Sequence, residues 1–293
     1  MIGYIMPKKV ADVSIFSTIF KLLTNALFRP SIVRCVKSIF YNFFFRQYRA
    51  ALFPGKIPVS RVDHELDKKI PFTPAWMGVY GEFTAFWIRS IGFLWEELGE
   101  RTADAARDFL DSMGALYCFA AEVYQKNLST TRRPRYLRRP GFILVHVFDP
   151  HLMCIPSLHV MVVIRTYTKF AAILRSLGEE ERYAPQIAEL KKGARDITEA
   201  ILYVKQHSVN CIAAAMYAMT CFDPVLFPPS EAEEFVSRLF TEPVLGEPPL
   251  VDQQDGEIIR KYIENLYRHF LSERPAGEAW DMPLMNFLMS RQR

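Results

Sequence analysis

Apolar residues recur at helical spacing along most of this chain. Ile15, Phe16, Ile19, Phe20, Leu22, Leu23, Leu27 and Phe28 follow i, i+3, i+4 steps, the mark of an amphipathic helix. A second aromatic cluster holds Ile39, Phe40, Tyr41 and Phe43 to Phe45. Longer apolar runs lie at 75–95, 112–121 and 206–222, the first interrupted by Glu82 and Arg89. Those two charges stand seven apart and so share a helix face, which would let them point into a bundle. A charged helix is predicted over 96–116, a short apolar run over 142–148, a helix from His159 to the acidic cluster at 179–182, and another over 185–194. In the tail, Ile259, Tyr262, Ile263, Leu266, Tyr267 and Phe270 form one stripe of a helix over 256–273.

Breaks fall at Pro54-Gly55, at Pro140-Gly141, and at Pro224, Pro228 and Pro229. The pattern predicts an all-α chain in three segments: a basic aromatic-rich helical segment over 1–62, a helical core over 63–228 and a helical tail over 229–293. No internal repeat or low-complexity tract interrupts it. No run reaches eighteen residues free of formal charge, so a simple transmembrane helix is not predicted. Two readings of the long runs stay open, helices of a membrane-embedded bundle or buried helices of a soluble one.

Composition narrows this further. With 293 residues, half of them hydrophobic, 23 Phe and only 13 Gly, the chain supports one sizeable core and favours helices over a sandwich. Five cysteines without a Cys-x-x-Cys pair exclude a disulfide framework or zinc finger and point to reduced core thiols. The net charge of +4 is unevenly spread. Over 1–62 Lys8, Lys9, Lys21, Arg29, Arg34, Lys37, Arg46, Arg49, Lys56 and Arg61 face a single acid, Asp12. Cations interleaved with Phe and Leu at helical spacing describe an interfacial helix on anionic lipid, which makes a membrane, rather than nucleic acid, the expected partner. The same pattern also fits a helix packed on the core with its cations in water. Lys21 interrupts the apolar run and no small-residue cleavage site follows, so a secretory signal is not predicted.

Candidate chemistry sits in three blocks: Lys126 with Arg133-Pro134 seven residues on, Pro156-Ser157-Leu158-His159, and Lys205-Gln206-His207. Phosphoryl transfer needs fixed positive charge around the equatorial oxygens, a nucleophile and a proton donor. Lys126 and Arg133 supply cations, and imidazoles serve as nucleophile or acid near neutral pH. Ser157 stands where an N-cap would, at a helix N-terminus that also receives an anion well. His146, Asp149 and His151 have a spacing that suggests metal ligands, but no further cluster supports a metal site.

The blocks resemble those of the type 2 phosphatidic acid phosphatase superfamily, whose signature is K-x6-R-P, P-S-G-H and S-R-x5-H-x3-D. Lys126, Arg133 and Pro134 match the first. Pro156, Ser157 and His159 match the second, with Leu158 in place of glycine, a variant similar to the inositol-lipid and sphingomyelin phosphotransferase branch. Leu66-Asp67-Lys-Lys-Ile70-Pro71-Phe72-Thr-Pro74 followed by Tyr80 looks like the approach to that branch's first core helix. The resemblance covers roughly 63–228. In the third block Ala200 and Ile201 replace Ser and Arg, and Cys211 replaces the aspartate that orients the nucleophilic imidazole.

The resemblance implies an all-α bundle of the phosphatase and haloperoxidase kind, associated with a membrane as an integral or peripheral protein. It implies a phosphoric monoester hydrolase that needs no metal or other cofactor and acts on a phospholipid or lipid phosphate through a phosphohistidine. His207 would be the nucleophile and His159 the acid. Lys126, Arg133, Ser157 and Leu158 would bind phosphate. Asn210, three residues beyond His207, would orient the ring in place of the missing aspartate. Transfer of the headgroup to a lipid alcohol is an alternative, and so is a silent lipid-binding or interaction protein that kept the fold and lost support for its nucleophile.

Overall fold

Gly92 shows how closely the amino-terminal segment is built into this protein. A Cβ at Gly92 would come within 2.1 Å of Thr18 Oγ1, so helix α1 (Ile15–Thr24) lies hard against α4 (Met77–Leu98). The computed structural model describes residues 8–244, 247–274 and 277–292; the first seven residues of the basic segment lie outside them. It is 69% helix and 3% strand, which bears out the all-α expectation.

Helix α2 (Arg29–Ile39) runs along α5 (Ala103–Tyr124), a π-helical turn (Phe40–Phe45) follows it, and α3 (Arg46–Leu52) continues from that turn. Buried residues from Val10 to Leu288 form one contiguous cluster. The three sequence segments therefore share a core. The expected charged helix over 96–116 is split, because Gly99 adopts φ 59° and ends α4 before α5 begins. A side chain would resist that conformation.

The only strands among the described residues, β1 (Val59–Arg61) and β2 (Leu128–Thr130), pair in parallel, with Ser60 opposite Ser129. Helix α6 (Pro140–Phe148) leads to a loop whose Met153 bridges to Ser129. The centre is α7 (Leu158–Ser176), α8 (Ala184–Tyr203) and α9 (Val209–Phe222). Helix α8 extends nine residues past the expected end at 194, because Ala194 to Tyr203 contains no Gly or Pro and its apolar members are buried. Helix α9 is buried on every side from Val209 to Thr220, and α10 (Pro229–Ser237), α11 (Gln253–Ser272) and α12 (Met282–Ser290) follow it. The predicted stripe of α11 covers α9: Ile259, Ile263, Tyr267 and Phe270 are fully buried.

Among the described residues no helix is long and apolar enough to cross a membrane. Glu82 and Arg89 do share a face of α4, but they pair with each other where both keep solvent contact instead of pointing into the bundle.

Candidate functional site

Three chain segments converge on the two motif histidines. Ser157 takes the N-cap position of α7 and is fully buried, which places His159 in the first turn of that helix. His207 comes from the tight loop between α8 and α9, where Lys205 takes φ 57° and the Gln206 and His207 amides both donate to the Ile201 carbonyl, at 3.0 and 3.3 Å. The Leu66-Asp67 motif braces this loop from outside. Asp67 Oδ1 accepts the Val209 amide at 2.9 Å, and the Lys205 ammonium donates to the Asp67 and Ile70 carbonyls.

His207 Nε2 lies 3.2 Å from His159 Nδ1 and 3.4 Å from Ser157 Oγ. Tyr80 and Phe83 pack over the His159 ring, with centroids 4.9 and 4.4 Å away. Burial holds His159 down to about 4 and His207 well below its ordinary value, and for His207 the nearby His159 and His151 rings lower it further. Both rings are therefore neutral near pH 7, and the proton between them belongs to one or the other. The Nδ1 atom of His207 is buried and makes no well-formed hydrogen bond, the Cys154 carbonyl offering the ring only weak support. A proton there would be a poorly satisfied buried donor, costing at most about 1–3 kcal/mol. The proton is therefore favoured on Nε2, where Ser157 or His159 accepts it, and that tautomer has no lone pair at Nε2 with which to attack.

The positive side of the site is built by residues the metal-like spacing had suggested for another purpose. Arg133 donates through Nη2 to the Asp149 carbonyl at 2.8 Å and through Nη1 to Gln206 Oε1 at 3.2 Å, with Asp149 Oδ2 at 3.5 Å. Asp149 also accepts the His151 amide at 2.9 Å and lies 3.7 Å from His151 Nδ1. His151 Nε2 is 2.8 Å from Thr131 Oγ1. Burial disfavours the imidazolium, but Cys154 and Asp149 outweigh it and hold His151 up at about 9. Burial likewise opposes the Asp149 charge, and His151 and Arg133 overcome it to bring that carboxyl down to about 2. Burial also opposes ionisation of Cys154, yet a hydrogen bond from Cys211 and the His151 cation lower its pKa.

His151 sits at φ 60°, a strained backbone for a residue with a side chain. Its ring centroid is 6.5 Å from that of His207. Asp149, His151, Cys154, Leu158, His159 and His207 line one cavity of about 20 Å³ together with Phe43, Gln47 and Met153. That is room for about one water.

No protein-family model matches this chain. No curated protein and no solved structure matches it either. The resemblance to the phosphatases therefore rests on the motif residues, and their placement is uneven. Ser157, Leu158, His159 and His207 come together, with Arg133 behind Asp149 and Gln206. Lys126 does not join them. It lies two residues beyond the end of α5 and its ammonium pairs with the buried Asp281 of the tail, since that carboxylate has lost its water and takes the nearest cation. Asn210 does not orient His207. Its Nδ2 donates to the Val62 carbonyl at 3.0 Å and its Oδ1 accepts from the Tyr262 hydroxyl at 2.7 Å, because the helix turn directs it toward β1 and α11. Cys211 is buried at N3 of α9, with the Ser208 amide 3.5 Å from Sγ.

Sequence reasoning missed Asp149 and His151 as members of this site. Their signal was present as a His/Asp cluster between the first two motifs. Among the described residues no group of His, Cys, Asp and Glu could hold a metal ion.

Over the amino-terminal segment and α6 the surface is unusually apolar. Phe16 is 87% exposed, Leu52 74% and Val147 64%, with Phe20, Phe40, Phe53, Leu144 and Phe148 also exposed. The Tyr48 hydroxyl donates to the Phe148 carbonyl at 2.7 Å, joining the α3 and α6 parts of this surface. Lys8 and Lys21 pair with Glu96, and Arg34 with Asp111. Lys37, Arg46, Arg49 and Lys56 have no carboxylate partner among the described residues.

Proposed function

We propose that this protein is a metal-independent lipid phosphate phosphatase with a helical bundle of the type 2 phosphatidic acid phosphatase and haloperoxidase kind, working at a membrane surface. The observation that carries this reading is the approach of His207 Nε2 to His159 Nδ1 at 3.2 Å, beside the N-terminus of α7. From the tautomer protonated at Nδ1, His207 Nε2 attacks phosphorus, the P–O bond to the lipid alcohol breaks, and the leaving oxygen takes up a proton that the substrate monoanion brings in and His159, neutral in the empty site, relays. Water then cleaves the P–N bond, releasing phosphate and restoring both rings. Arg133, His151 and the α7 N-terminal amides supply the positive environment for the phosphoryl oxygens.

A phosphoryl group exceeds the cavity of about 20 Å³, so turnover requires its lining to give way, and Phe43 and Gln47 form one wall of that lining. That wall belongs to the segment whose outer face carries exposed Phe40, Tyr41 and Phe44. An exposed apolar surface of this extent, interleaved with unpaired cations, suits an anionic bilayer. Peripheral attachment is the form of membrane association we adopt.

The poorly supported Nδ1 of His207 favours a second reading, a lipid-binding protein that no longer turns over. The test is phosphate release from a short-chain phosphatidic acid. His159→Ala and His207→Ala each abolish it, and His146→Ala leaves it intact. Equal loss in His146→Ala refutes the assignment. Release of diacylglycerol without free phosphate, in the presence of an added lipid alcohol, identifies transfer instead of hydrolysis. Absence of both reactions in the wild-type protein selects the silent binder.

A further inference from the structure

A second, much larger cavity shares Met153 with the histidine site and is lined by none of the fixed residues of the three motif blocks. It measures about 500 Å³, within the range of small-molecule pockets. Tyr41, Phe45 and Phe53 form its aromatic wall, and Arg46, Arg49 and Lys56 stand among them; no carboxylate lines it. The Arg46 guanidinium lies 5.1 Å from the Tyr41 ring centroid, and the Lys56 ammonium 5.2 Å from that of Phe53. Each charge is thus held beside apolar surface without an acid to neutralise it. Met153 forms part of both this pocket and the histidine cavity, so the two are separated by one side chain.

We propose that this pocket binds a single-chain anionic amphiphile, its hydrocarbon chain against Tyr41, Phe45 and Phe53 and its acidic group on Arg46, Arg49 and Lys56. Two observations choose this class. Three cations without a counter-charge select an anion, and an aromatic-lined volume of this size is wasted on a small hydrophilic ion such as phosphate. The binding does not depend on the reaction proposed for the histidines.

The test is equilibrium binding of oleate, a single-chain anion with no phosphate ester to be cleaved at the histidines, to the protein below the micelle concentration, followed by calorimetry. Saturable one-to-one binding is expected. Arg49→Glu combined with Lys56→Glu, both at exposed positions, weakens it by at least about tenfold, since each cation near an acidic group contributes about fivefold. Ala50→Trp, which fills the pocket, weakens it comparably, and each methylene removed from the chain costs at most about fourfold. Oleoyl lysophosphatidylcholine binds more weakly, and inorganic phosphate does not compete. His207→Ala leaves binding unchanged, which separates this site from the histidine pair. The proposal is overturned by non-saturable uptake, by indifference to the charge reversal, by equal affinity for the choline lipid, or by loss of binding in His207→Ala. Circular dichroism and urea unfolding of each variant ensure that a lost signal is read only from folded protein.

Discussion

Replacing Cys211 with aspartate tests the weakest point of the proposed chemistry. His207 Nδ1 is buried with no well-formed hydrogen bond, while Nε2 has Ser157 and His159 within 3.4 Å. Leaving a buried N–H unsatisfied costs about 1–3 kcal/mol, so the attacking tautomer is suppressed by at most roughly 5- to 150-fold. Missing carboxylate support for the imidazolium adds to this. In the serine-protease triad, exchanging the orienting Asp for Asn costs about 10⁴ in turnover, which sets an upper bound for the gain. An aspartate at position 211 is one atom longer than the cysteine and stands four residues after His207, in the first turn of the helix that the His207 loop enters. It would accept the Nδ1 proton, shift the tautomer and stabilise the cation. The helix also tolerates it. Position 211 is N3 of α9, where a carboxylate completes the capping box with the Ser208 amide and faces the positive end of the helix. Desolvation of the new charge opposes this, so urea unfolding accompanies the assay. With phosphatidic acid as substrate, turnover rises by about 10- to 10⁴-fold. A folded variant with unchanged turnover refutes the claim that a poorly supported Nδ1 limits the nucleophile.

Four further outcomes follow from the structure. His159 and His207 stay neutral in the fold, so between about pH 6.5 and 4 the unfolded chain takes up protons that the folded one refuses, and stability falls as the pH drops through that window. For His159, a fall from 6.5 to about 4 amounts to at most about 3 kcal/mol, less because the ring keeps some solvent contact; urea midpoints that do not move across this range contradict it. His151, raised to about 9, acts in the opposite sense: its contribution is complete below about 6.5 and disappears as the pH rises through 9, so His151→Gln flattens the alkaline limb of the same titration. Tyr262→Phe leaves the buried Asn210 Oδ1 without its donor and lowers stability by about 1–3 kcal/mol in urea, with no change in turnover per folded molecule. Phe16→Ser with Phe20→Ser removes exposed side chains from α1 without touching the core and weakens binding to anionic vesicles, each Phe being worth up to about 1.5–3 kcal/mol when inserted; co-sedimentation unchanged by both substitutions excludes this face as the contact. Deleting the whole basic segment is unsuitable, because Val10, Leu22, Phe28 and Ile32 are part of the core.

Periodicity alone determined that this chain is helical, because a 3.6-residue repeat of apolar positions has no other way to bury one face. It also located the helix beginning at His159, the α11 stripe and the basic aromatic surface, each a local property of consecutive residues. Helix ends depended on backbone conformations that only packing selects, such as φ 59° at Gly99 and φ 57° at Lys205. The meeting of His159 with His207 was legible through motif spacing, although 48 residues separate them. Partner choice was not legible. Lys126 turns to Asp281, 155 residues away, and Asn210 to Tyr262, 52 away, because a buried carboxylate or amide takes whichever partner the fold brings nearest. The same rule placed Asp149 and His151 beside Arg133. A charge or polar group taken out of water must be satisfied where it stands, and where it stands is decided by the tertiary structure.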